Sequence, residues 1–177
     1  MKETKLDEVV DLEISVLPQM FAGSIGLWVI VVMLMVAAFS IPIGFALFGG
    51  VIVVGLHWFS ETIHQLGHAW AARHTGYPML GIRYGTRAIL ATALYPPDEP
   101  ALPAKTHIRR ATGGPFFSAG LSVLAFIILM LSRTAAPLWQ FVAWFFFLEN
   151  LFVMTLQVFI PLGFNDGGTI WYWIRQR

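Results

Sequence analysis

Cysteine is absent from all 177 residues. Disulfides are thereby excluded, and any bound metal must be held by imidazole and carboxylate instead of thiolate. Charge is scarce too: 12% of residues are charged, about half the share of an average soluble domain. No Asp, Glu, Lys or Arg occurs from Ile14 to Ser60. The formal net charge is +1, and no basic run interleaved with aromatics is present, so nothing points to nucleic acid as a partner. The segment MKETKLDEVVDLEIS carries five acids and two lysines. It lacks the basic start of a secretory signal, and the expectation is that it is retained.

What is abundant is apolar. Hydrophobic residues make up 57% of the chain and the mean hydropathy is +0.70, values that fit a protein dissolved in a lipid bilayer. The uncharged stretch is long enough for two spans of about 20 residues. Ser40-Ile41-Pro42-Ile43-Gly44 is its natural break, since Pro42 lacks an N–H and Gly44 relaxes the backbone. Spans are expected over about 20–39, from Gly44 into Ala72, over 115–131 and over 138–160. The fold expected is an all-α membrane protein of about four transmembrane helices. A small hairpin-like loop, with strands near Gly81–Tyr84 and Ala88–Leu94, joins the second and third. Residues 1–15 read as a tail and 16–177 as one membrane-embedded domain. With four alternating spans, every Lys and Arg except Arg133 falls on one side together with both termini, and the positive-inside rule makes that side cytoplasmic.

The second span ends in His57-Trp-Phe-Ser-Glu61-Thr-Ile-His64-Gln65-Leu-Gly-His68. At 100° per residue, positions 57, 61, 64 and 68 lie within an arc of about 60°. Such a polar stripe must face protein or water. His64 and His68 are one turn apart, so two imidazoles can meet one ion from the same helix face. Gly67 leaves room for close approach. Glu149 lies in the fourth span, where an acid needs a partner, and His57 is the candidate. Near the chain's end, Pro161 stops the fourth span and Gly167-Gly168 permit a sharp turn beside Asp166. Alternating topology brings Asp166 to the depth of His64 and His68. Two histidines, one carboxylate and an open position form a catalytic zinc ligand set, in which bound water has a pKa of about 7.

At these residues the chain resembles the site-2 proteases, intramembrane zinc metalloproteases with HExxH on one membrane helix, Gly-Pro-x-x-Asn on the next and Asn-x-x-Pro-x-x-x-x-Asp-Gly-Gly after the third. The corresponding segments are His64-Gln65-Leu66-Gly67-His68, Gly114-Pro115-Phe116-Phe117-Ser118, and Val158 through Pro161 to Asp166-Gly167-Gly168. The resemblance covers about 51–168 and includes AWAARHTGY after His68. It implies zinc on His64, His68 and Asp166, and a membrane protein or membrane-segment peptide as substrate. Three positions depart from the pattern. Gln65 replaces the general-base glutamate, and an amide cannot take a proton from water, which costs about 10²–10⁴-fold in rate. Ser118 and Val158 replace two asparagines expected to help position a substrate strand. Glu61, one turn before His64, has three readings: a hydrogen bond to the distal nitrogen of His64, a substitute base, or a plain buried contact. The strand-like Ala88–Leu94 either pairs with an extended substrate at its edge or packs on the membrane surface. The expected function is therefore an intramembrane zinc metallopeptidase impaired at Gln65, with a non-catalytic pseudoprotease that binds a membrane partner as the alternative. A metal-transport role fits less well, because the polar stripe gathers at one end of its span.

Overall fold

The structure is a computed structural model that describes residues 12–176. Four helices are long and apolar enough to cross a membrane. The chain enters through a short strand, β1 (Glu13–Val16), and turns into α1 (Gln19–Phe39). Ser40, in the left-handed conformation at φ 51°, ends α1 by donating its N–H to Met35 O. Pro42 then opens α2 (Ile43–His74). The break thus falls where Pro42 denies the helix a donor, as the sequence predicts. At 32 residues, α2 is about 48 Å long, well beyond a hydrocarbon core of about 30 Å, so its His-rich end reaches past the most apolar zone.

Strands β2 (Gly81–Thr86) and β3 (Leu90–Leu94) form the expected antiparallel hairpin. Its turn, residues 87–89, carries positive φ at Arg87 (50°) and Ala88 (68°), the left-handed region that glycine more often occupies. The sheet has a third member: β1 pairs parallel to β2, Glu13 opposite Gly81 through Val16 opposite Tyr84. The strand thus begins inside the segment read as a tail, while residues 1–11 of that tail lie outside the described residues. A four-residue strand leaves too short an alternation to register in sequence, and its partner is some 68 positions away.

Helix α3 (Ala104–Leu131) begins well before Pro115, which sits inside it. The polar run Lys105–Arg110 hid this first part. α4 (Pro137–Leu148) passes into a π-helical stretch, Glu149–Thr155, and a 3-10 turn, Leu156–Phe159. Thr155 Oγ1 donates to Asn150 O at 2.7 Å, capturing a carbonyl in the widened turn. The chain closes with α5 (Asp166–Arg175).

The core between α1, α2 and α4 is built from Val31, Met35, Ala46, Val53 and Phe141, and Gly49 and Gly50 let Leu138 and Trp28 close on α2. A second core, with Met79, Ile82 and Tyr84, seats the sheet against Ala72 of α2. Many large apolar side chains remain exposed, among them Phe21, Ile25 and Met33 on α1 and Leu131 on α3. In water such a surface would drive aggregation, and in lipid it is the expected outer face.

Candidate metal centre

Helices α2 and α3 pack most tightly where the histidines lie. A Cβ on Gly67 would collide with Gly113 O, and one on Gly113 with Gly67 O, so backbone lies directly on backbone as in small-residue membrane contacts. Gly120, two turns further along α3, is exposed and faces open space. Gly114 has a sharper role. A side chain there would put its first carbon within 2.5 Å of Nε2 of both His64 and His68, filling the space into which both rings aim.

Asp166 completes the group. Its Oδ2 lies 3.0 Å from His64 Nε2 and its Oδ1 3.3 Å from His68 Nε2. One donor atom from each of the three residues falls within 4.8 Å of the others, and the group could hold a metal ion. Two ligands about 2.0–2.1 Å from a tetrahedral centre are about 3.3 Å apart, so the spacing suits an ion at nearly fixed donors. The outer nitrogens agree. His68 Nδ1 lies 2.8 Å from Arg110 O, a carbonyl that can only accept, so Nδ1 carries the hydrogen and Nε2 keeps its lone pair. The Gly114 N–H, 3.3 Å from the same Nδ1, is the weaker contact. His64 Nδ1 meets Ser118 Oγ at 2.9 Å, and a proton on Nδ1 leaves Nε2 facing Asp166 in the same way.

The turn that delivers Asp166 is held by its neighbours. Asn165 caps α5, with Oδ1 accepting from Gly168 N at 2.8 Å, and its Nδ2 donates to Ile160 O and Gln157 O. A Cβ on Gly167 would strike Ile160 O, and one on Gly168 would strike Leu162 O. Gln157 Nε2 donates to Asp166 Oδ2 at 2.6 Å.

One expectation changes here. Glu61 does not bond His64; its Oε2 accepts from Ala91 N–H at 3.0 Å, and Ser118 takes the position at the distal nitrogen. Residue 61 is about 60° around the helix from residue 64, enough to turn its side chain to the sheet. Gln65 is likewise committed to the sheet, donating from Nε2 to Ala91 O at 3.0 Å, a bond that an ionised carboxylate cannot make. Ser118 and Gln157, which hydrogen-bond His64 and Asp166, are the supporting residues the sequence did not reveal. Ser118 offered one signal, its place one turn after Gly114, and Gln157 offered none beyond standing next to Val158.

The polar stripe of α2 therefore divides. His64 and His68 face Asp166, while His57, Glu61 and Gln65, spaced four residues apart, face the outer edge of β3. His57 Nε2 meets Ile89 O at 2.8 Å, and its Nδ1 meets Glu149 Oε1 at 2.5 Å. The expected His57–Glu149 contact is present, buried on both sides. Beside the triad opens a cavity of about 570 Å³, lined by His64, His68 and Asp166 and by Leu90–Ala93 of β3. Tyr95 and Arg110 also line it. Burial pushes the Tyr95 phenol up to about 12, so it stays a neutral donor, and the Arg110 guanidinium stacks 4.2 Å over its ring.

No family model matches this sequence, and no curated protein matches it.

Proposed function

We propose that this chain is a site-2-protease-like intramembrane metalloprotein that binds zinc through His64, His68 and Asp166 and takes a membrane-segment peptide into the adjacent cavity. The observation that carries this reading is the set of three convergent ligands, each with its own hydrogen-bond support, beside a cavity walled by a strand edge. When bound, zinc supplies Lewis acidity, polarising a carbonyl and making coordinated water more acidic. The protein's share is positional. Ser118 and Arg110 O aim the rings, Gln157 aims the carboxylate, and the outward N–H and C=O of Ala93 remain for an extended peptide, since those of Ala91 are already taken by Glu61 and Gln65.

Peptide hydrolysis also needs a base, and the two candidate residues are both turned to the sheet. Gln65 cannot accept a proton, and Glu61 holds a backbone amide. That pair of commitments favours the second reading, a non-catalytic relative that binds a membrane partner without cutting it.

Purified protein and its Gln65→Glu variant, assayed for bound zinc and for cleavage of a fluorogenic transmembrane peptide, separate these outcomes. Zinc in both with cleavage rising about 10²–10⁴-fold in Gln65→Glu supports an impaired protease. Zinc in both with no cleavage supports the non-catalytic reading. Cleavage by the unaltered chain that vanishes in Glu61→Gln makes Glu61 the base. Absence of zinc from both, with His64→Ala changing nothing, sinks the metal assignment.

A further inference from the structure

Arg109 and Arg110 are adjacent in sequence and have opposite fates. Arg110 is buried and spends its guanidinium on Glu99 and on Tyr77 O. Arg109, about 100° around α3, is exposed, and no carboxylate pairs with it among the described residues. It lines a second cavity of about 520 Å³ on the outer side of the α2–α3 contact, with Trp70, Ala71, His74, Gly113 and Phe116. The Trp70 and Phe116 rings are stacked at 16°, with centroids 6.4 Å apart. The cavity thus brings a cation and an aromatic wall together.

Its level in the fold matters as much as its lining. The last turn of α2 carries Arg73 and His74, and the uncharged part of α3 begins directly after Arg110. Both helices therefore pass from apolar to polar at this cavity, where a bilayer would give way to water. Tryptophan favours that boundary, and basic pockets between spans at such a level bind anionic head groups. A guanidinium matches a phosphate oxygen pair, while the stacked rings suit the first methylenes of an acyl chain.

We propose that this cavity is a binding site for an anionic glycerophospholipid, with its phosphate on Arg109 and its chain along Trp70 and Phe116. The floor of the cavity, Ala71 and Gly113, is the same close contact that seats α3 against Gly67. None of the residues lining it lines the cavity beside Asp166. The inference requires the chain to sit in a bilayer and does not depend on the metal centre.

The test is native mass spectrometry of the delipidated full chain in detergent, titrated with dioleoylphosphatidylglycerol or dioleoylphosphatidylcholine. One phosphatidylglycerol should be retained in preference to phosphatidylcholine. Arg109→Gln should weaken it about five-fold, and Phe116→Ala should weaken it as well. Arg83→Gln, which removes an exposed arginine from the sheet, should leave it unchanged, and excess inorganic phosphate should not displace it. Equal retention of both lipids, or full retention by Arg109→Gln, overturns the proposal. Equal loss in Arg83→Gln also overturns it, by reducing the effect to diffuse surface charge, and displacement by inorganic phosphate does so by assigning the site to a soluble anion.

Discussion

Gly114 and Ser118 stand one turn apart on α3 and shape the histidine pair by opposite means, one by having no side chain and the other by having a short polar one. Gly114→Ala should abolish metal binding, because the new methyl would occupy the space into which both Nε2 atoms point. Metal content measured by plasma mass spectrometry checks this, with Gly120→Ala, in open space, expected to bind normally. Ser118→Ala removes the partner of His64 Nδ1 and should weaken metal affinity about 10–100-fold. Glu61→Gln should leave affinity within a few-fold, since Glu61 bonds the sheet. A competitive chelator titration that ranked these two variants the other way would return Glu61 to the ligand's support.

Between elements, the hairpin is fastened to α2 by side chains from the helix to the strand edge. His57, Glu61 and Gln65 occupy Ile89 O, Ala91 N and Ala91 O in turn, so the outer edge of β3 is protected from pairing over this length. The segment after β3 depends on a different fastening, the fork between Arg110 and Glu99. The Arg110 hydrogen bonds hold the Glu99 carboxyl below its ordinary value. A carboxylate with a lowered folded pKa contributes stability above its unfolded pKa and loses it as pH falls through the folded value. Residues 95–103 should accordingly exchange amide hydrogens normally at neutral pH and open only at pH below the ordinary carboxylate range. Glu99→Gln should show the open exchange pattern at neutral pH. Nothing in the Pro-rich run PPDEPALPAK foretells that one of its acids meets an arginine 11 positions later.

At the scale of the whole molecule, His57 and Glu149 join the second span, the hairpin and the start of the π-helical stretch through one buried pair. Glu149→Leu leaves a buried imidazole without its partner and should destabilise the fold by about 3–5 kcal/mol, whereas joint replacement of both by apolar residues should recover much of the loss. Thermal unfolding in detergent, followed by circular dichroism, measures both. Asn150, beside it, donates to Ser60 Oγ and Phe146 O, so the fourth span is tied to the second by polar bonds that the bilayer cannot replace.

How much of this was legible in the chain follows from the range of the forces involved. The four apolar helices, the break at Pro42, the hairpin and the convergence of His64, His68 and Asp166 depend on composition, on helical period and on up-and-down connectivity, all of which are local or follow from counting spans. The sequence by itself determined those. The parallel strand β1, the start of α3 at Ala104, the π-helical turn, and the roles of Ser118, Gln157, Glu61 and Gln65 were decided only by tertiary structure. The strand and the roles of Ser118, Glu61 and Gln65 depend on which neighbour a side chain or backbone group meets across 26 to 68 positions of chain, or on how a few tens of degrees of helix rotation divide one polar stripe between two partners, and Gln157 depends on the turn that brings Asp166 back to it. Helical period places Glu61 and His64 on the same side of α2, and only packing against β3 and α3 sends one to the strand and the other to the candidate metal centre.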